Sequence, residues 1–238
     1  MESLLLAWYS RSGRDLPWRR TRDPYAILVS EVMLQQTQVD RVIPRYLEWL
    51  ERWPTAEALA AAPAGEAIRA WQGLGYNRRA LALHGAAQAV ARNGWPNDLT
   101  TLPGVGPYTA DAVRNFAFGE DVLPHDVNVD RVERRTGQRF TGAAAQALMD
   151  LGATVCLARV QRCDACPIAT ACPSRGARDA PRRKQSRFEG SFRQRRAAAL
   201  RGVVAATSLH DDLDQEALDA LARDGLVVLH ADGTVSLP

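Results

Sequence analysis

The four cysteines of this 238-residue chain are confined to one short window, Cys156, Cys163, Cys166 and Cys172, in the order C-x6-C-x2-C-x5-C. That clustering constrains the fold more than any other feature, because four thiols so close in sequence are placed to pair with one another or to converge on a metal. Disulfides persist in oxidising compartments. The chain has no secretory-signal layout and no apolar run long enough to span a bilayer, so a cytoplasmic protein and a metal centre are expected. Four thiolates suit tetrahedral Zn²⁺, and they equally suit an iron–sulfur cluster.

Around the cysteines the chain reads as mostly α. Segments rich in Ala, Leu and Arg, punctuated by Gly and Pro, predict helices over 1–11, 25–35, 38–52, 55–62, 65–71, 78–93, 108–118, 129–136 and 142–155. After Cys172 a stretch from Arg175 to Arg196 carries nine Lys or Arg residues against Asp179 and Glu189. It reads either as a solvated linker or as a segment that meets phosphates. Helices over 195–205 and 214–224 then precede two β-prone runs flanking Asp232-Gly233, a two-residue hairpin signal. Two helices and a ribbon suggest a small winged-helix-like module. The net charge of +3 adds little about partners by itself.

Chemistry enters at three places. Leu102-Pro-Gly-Val-Gly-Pro-Tyr-Thr-Ala110 has the form of a helix-hairpin-helix turn. Gly104, Val105 and Gly106 would turn tightly, bring the backbone close to a partner and offer N–H groups to a phosphate at the mouth of the next helix. Glu31 lies among apolar neighbours on a helix, where burial favours the neutral, proton-donating acid. Asp126 directly precedes a helix, where free N–H groups and the helix dipole favour a carboxylate. An acid and a carboxylate in opposed environments are what cleavage of a glycosidic bond requires.

From Leu16 to Cys172 the chain resembles the MutY-type adenine DNA glycosylases of the helix-hairpin-helix superfamily. The resemblance is carried by Leu16-Pro-Trp-Arg19, Ser30-Glu-Val-Met-Leu-Gln-Gln-Thr-Gln-Val39, Gly73-Leu-Gly-Tyr76, the hairpin, Met149-Asp-Leu-Gly-Ala153 and the cysteines. It implies a two-lobed glycosylase fold, with a helical barrel domain at 20–122 and an iron–sulfur domain formed by 1–19 and 123–173. A basic linker at 174–193 and the winged-helix-like module at 194–238 would follow. Cys156, Cys163, Cys166 and Cys172 would hold a [4Fe–4S] cluster, bracing a loop from which Arg159 and Arg162 meet DNA phosphates. Hairpin carbonyls would bind a monovalent cation. Glu31 would protonate the adenine, and Asp126 would stabilise or capture the sugar cation, with Tyr108 and Asn128 arranging the site. Leu16, Trp18, Arg19, Val39 and Asp150 would line the base pocket. Gln35, Gln36 and Tyr76 would meet DNA, the last two entering the duplex beside the extruded nucleotide. The partner would be double-stranded DNA bearing a damaged or mispaired base, met by a nucleoid-associated monomer.

The chain also departs from that family. Tyr108 stands where bifunctional relatives carry a lysine, which implies base release without efficient strand cleavage at the abasic site. Val127 replaces the usual glycine between the aspartate and the asparagine. The stretch between Arg134 and Met149 is short, and no Nudix-like domain follows the cysteines. Two other readings accommodate these residues: a mismatch glycosylase releasing uracil, thymine or hypoxanthine, and a non-catalytic lesion-binding protein.

Overall fold

The computed structural model describes residues 1–180, 186–205 and 213–238. In chain order the helices are α1 (Glu2–Ser12), α2 (Pro24–Leu34), α3 (Val39–Arg52), α4 (Ala56–Ala61), α5 (Ala64–Ala70), α6 (Arg78–Asn93), α7 (Pro107–Phe116), α8 (Val127–Thr136), α9 (Ala145–Thr154), α10 (Phe192–Ala205) and α11 (Gln215–Arg223), followed by strands β1 (Val228–Leu229) and β2 (Val235–Ser236). The mostly helical expectation holds, with ends shifted where caps dictate. α8 starts two residues early because Asp126 caps it, and it stops at Gly137, whose φ of 67° is left-handed. The expected helix over 142–155 splits into a 3-10 turn, Gly142–Ala144, and α9. Among the described residues no helix is long and apolar enough to cross a membrane.

Contacts divide the chain into two compact units, Met1–Ile27 with Gly106–Arg183 and Leu28–Val105 with Lys184–Pro238. This differs from the four-part organisation expected from sequence: α7 groups with the cysteine-bearing segment, and the C-terminal module groups with the α3–α6 helices.

In the first unit α1, α8 and α9 close on a core of Leu5, Val129, Val132, Leu148 and Leu151, completed by Phe140 and by Ile168 from the cysteine loop. Each such side chain contributes roughly 1.5–3 kcal/mol when fully buried. Gly152 lets α8 and α9 meet closely, since a Cβ there would lie 2.4 Å from the Cβ of Asn128. The helix pair thus fixes the height of Asn128 beside Asp126.

The second unit is organised by tryptophans. Trp49 of α3 stands edge-on to Trp53 and Trp71, with ring centroids 4.7 and 5.5 Å away. Ile68 of α5 joins Leu200, Val203, Leu218, Leu221 and Leu226 in one core, so the C-terminal helices are seated on this unit. Their ribbon pairs Val228 with Ser236 and Leu229 with Val235. The connection is a three-residue loop at 231–233, not the expected two-residue turn. His230 N donates to Thr234 O at 2.9 Å and Gly233 N to His230 O at 3.1 Å, with Gly233 at φ 83°. That is a turn closed by a left-handed glycine.

Candidate functional site

In the first unit the N-terminus of α8 builds a carboxylate site. Asp126 Oδ1 accepts from Asn128 N at 2.8 Å and Val129 N at 2.7 Å, and Oδ2 accepts from Asn128 Nδ2 at 2.8 Å. Three donors hold the carboxylate in one orientation at the positive end of a helix. Asn128 is oriented in turn, because its Oδ1 accepts from Arg131 Nη2 at 2.6 Å. Arg131 is only 7 % exposed. Its Nε donates to Cys156 O at 2.7 Å and its Nη2 also to Gly152 O at 2.6 Å. One turn later Arg135 Nη1 donates to Cys156 Sγ at 3.3 Å and to Leu157 O at 2.9 Å. Asp126 is therefore linked through Asn128 and Arg131 to the first cysteine. Neither arginine is conspicuous in the sequence, where two arginines spaced i, i+4 read as a solvated helix face. Val127 is 48 % exposed, so its side chain stands in solvent without disturbing the cap.

All four cysteines line one small cavity, shared with Arg135, Val155, Gln161, Arg162 and Arg175. Among the described residues two buried side-chain polar atoms lack a partner, Arg135 Nε and Gln161 Oε1, and both belong to residues of this lining. A cluster with sulfide and thiolate acceptors suits the orphaned Arg135 N–H. Among the described residues no three Cys, His, Asp or Glu side chains are gathered so as to hold one metal ion. Arg159 and Arg162 are exposed on the loop between the first two cysteines.

Asp150, expected to line a base pocket, is only 1 % exposed and anchors two arginines. Oδ1 accepts from Arg19 Nη2 at 2.7 Å and Arg14 Nε at 2.8 Å, and Oδ2 from Arg19 Nη1 and Arg14 N, both at 2.8 Å. Arg19 also lies over the Tyr9 ring, 5.5 Å from its centroid, and the neighbouring Leu16 and Trp18 are buried. Asp150 thus fixes Arg19, and Arg14 is a member that the sequence reading missed. Burial pushes the Asp150 carboxyl up, but hydrogen bonds from Arg19 and Arg14 outweigh it and hold it below the usual carboxylate range. A depressed folded-state pKa contributes stability above the unfolded value near 4 and loses it as pH falls through the folded value. Asp150→Asn is expected to cost about 3–5 kcal/mol at pH 7, because it strands two arginines beside a neutral group. In thermal melts the gap to wild type should narrow below about pH 4.

In the second unit Glu31, 5 % exposed, sits in the last turn of α2. Beyond it Gln36 is exposed at φ 56°, and Tyr76, 50 % exposed, has φ 48°. Among the described residues these are the two non-glycine positions in the left-handed region, each at a cost of about 1–2 kcal/mol. They are the two side chains expected from the resemblance to enter DNA. Gln35 is half-buried, and Val39 opens α3 half-buried.

At the hairpin the two glycines play different parts. Gly104 has φ 75°, and a Cβ there would lie 2.6 Å from Ala82 Cβ, so both the turn and the packing require glycine. Gly106 has an ordinary φ of −88°, and a Cβ there would meet nothing within 4 Å. Its small size therefore leaves space above the N-terminus of α7, which has no side-chain cap. Val105 is buried. Tyr108 is half-buried in the first turn of α7.

Arg182, Arg183 and Lys184 of the basic stretch lie outside the described residues. Arg195 is paired with Asp214 and Glu216, and Arg196 with Asp224, which makes the end of that stretch part of the C-terminal module's own packing.

A helical chain with a glycine turn opening one helix and a carboxylate held at the mouth of another falls in the class of helix-hairpin-helix proteins. A family profile described as HhH-GPD superfamily base excision DNA repair protein matches residues 29–151. The chain belongs to that superfamily, and it is a DNA N-glycosylase of base excision repair, of MutY type. The adenine DNA glycosylase of Mycobacterium tuberculosis is 40 % identical, with 98 % of this chain and 92 % of that protein covered. The adenine DNA glycosylase of Mycolicibacterium smegmatis is 41 % identical, with 98 % and 94 % covered. The human adenine DNA glycosylase is 40 % identical over 72 % of this chain and 38 % of that protein. The Mycobacterium tuberculosis alignment runs over 281 positions, more than the 238 residues of this chain, so that relative carries segments missing here. Among solved structures, a thermostable thymine-DNA glycosylase has a TM-score of 0.66 at 28 % identity, covering 73 % of this chain and 94 % of that one. An endonuclease III–DNA covalent intermediate at 22 % identity has a TM-score of 0.62, covering 73 % and 92 %, and supports the fold.

Proposed function

We propose that this glycosylase is monofunctional and releases adenine mispaired with 8-oxoguanine or guanine in duplex DNA. The observation that carries the reading is the identity of 40–41 % to two adenine DNA glycosylases over 98 % of the chain. Glu31 donates a proton to N7 of the extruded adenine as the bond from N9 to C1′ breaks. The fixed carboxylate of Asp126 faces the developing cation and stabilises or captures it, after which water adds at C1′. Tyr108 and Asn128 arrange these groups, and Leu16, Trp18, Arg19 and Val39 shape the base site, with Asp150 acting through Arg19. Gln35 lies beside the wedge Gln36, and Gln36 and Tyr76 fill the space that the nucleotide leaves. The N–H groups at Gly104 to Gly106 take a phosphate, and the hairpin carbonyls a monovalent cation.

Cys156, Cys163, Cys166 and Cys172 would hold a [4Fe–4S] cluster, whose part when bound is to brace the loop carrying Arg159 and Arg162. The thiolate donor set and the orphaned Arg135 N–H support this fit.

A second reading, release of thymine, uracil or hypoxanthine, is favoured by the likeness to a thymine-DNA glycosylase. Single-turnover release from duplexes pairing A, T, U or hypoxanthine with G, 8-oxoguanine and the normal partner separates the two. Adenine opposite 8-oxoguanine or guanine is expected to react fastest, and a faster pyrimidine would replace this reading. Because Tyr108 offers no amine for a Schiff base, strand cleavage without added alkali is expected to lag base release at least about 100-fold. Nicking as fast as base release would refute the monofunctional assignment.

A further inference from the structure

Arg79 has no part in the chemistry above, yet its guanidinium is the most heavily used cation near the two left-handed positions. It lies half-buried in the first turn of α6. Nη1 donates to Val32 O at 2.8 Å, Met33 O at 3.0 Å and Gln35 O at 2.6 Å, carbonyls at and just beyond the end of α2. Nη2 donates to Gly75 O at 2.8 Å, Leu74 O at 3.2 Å and Thr37 Oγ1 at 3.1 Å. The guanidinium carbon lies 5.2 Å from the Trp71 ring centroid and 5.5 Å from that of Tyr76. Among the described residues its polar partners are carbonyls and one hydroxyl, with no carboxylate ion pair. Burial pulls its pKa down to about 10, which leaves it charged at neutral pH.

The two ends of this fork reach the two segments that carry Gln36 and Tyr76. One Nη satisfies carbonyls that α2 leaves open at its C-terminus, where a cation is favoured. The other ties down the Leu74-Gly75 peptide immediately before Tyr76, whose loop Trp71 Nε1 also holds through Gly75 O at 3.1 Å. We infer that Arg79 is the positioning residue that sets the spacing of the Gln36 and Tyr76 wedges and so governs extrusion of the target nucleoside. The inference rests on the glycosylase reading and on those wedge roles. A lysine cannot replace this fork, since an ammonium is a point donor without two parallel edges.

The test uses the full chain with Arg79→Lys, and Thr37→Val as a milder loss from the same fork. Base release is measured in single turnover from adenine paired with 8-oxoguanine and from adenine in an unpaired bulge, which needs no wedge. The fluorescence of 2-aminopurine at the target position reports unstacking without chemistry. Arg79→Lys is expected to lose about 30-fold on the paired substrate, with a matching loss of fluorescence rise, and less than about threefold on the bulge. Thr37→Val should show the same pattern at about threefold. Equal losses on both substrates, or none on either with an active wild type, overturn the inference alone. A wild type that releases no base overturns the underlying reading and the inference with it.

Discussion

Asp126→Asn is expected to lower single-turnover base release by about 10³-fold or more while the protein still folds and binds DNA. In the proposed mechanism, loss of the negative charge facing the sugar cation supplies the kinetic effect, comparable to removing an electrostatic stabiliser from an active site. Folding is spared because asparagine caps a helix about as well as aspartate, keeping the bonds from Asn128 N and Val129 N. The substitution is not silent, however. Its amide nitrogen would replace the Oδ2 that accepts from Asn128 Nδ2, and Asn128 cannot turn over to help because Arg131 holds its Oδ1. One donor is left facing another, at an expected cost of about 1–3 kcal/mol. A thermal melt alongside the kinetics separates the two effects. Release within tenfold of wild type would remove Asp126 from the chemistry.

What the sequence disclosed and what it withheld divide by range. The ends of α6, the cap at Asp126 and the turn at Gly104 are local matters, set by a few neighbouring residues, and were legible. The hairpin loop at 231–233 is one residue longer than Asp-Gly suggests, because that pair serves both a two-residue turn and a turn closed by a left-handed glycine. The sequence pattern treats Gly104 and Gly106 alike, whereas positive φ and tight packing demand glycine only at Gly104. The arginines were the real blind spot. Arg14, Arg79, Arg131 and Arg135 find partners far along the chain: Asp150 for Arg14, Val32 and Met33 for Arg79, Gly152 and Cys156 for Arg131 and Arg135. No helical period announces such a bond, because a guanidinium on a long stem looks like surface until the fold surrounds it. For the same reason Asp150 read as a pocket residue, whereas its carboxylate is saturated by two arginines.

Glu31→Gln is the complementary expectation. The side chain is buried in the last turn of α2, and glutamine keeps its size while removing the transferable proton, so the loss should be about 10²–10⁴-fold in base release with little change in DNA affinity. The decisive measurement is the double variant with Asp126→Asn. Two groups that stabilise one transition state act as a unit, and deleting both costs little more than deleting the more important one. Independent contributions would instead multiply, in keeping with additivity between uncoupled sites. The double variant is therefore expected within about tenfold of the slower single variant, far above the product of the two losses. Multiplicative losses would mean that acid and carboxylate do not serve the same flipped nucleoside, whatever each does alone.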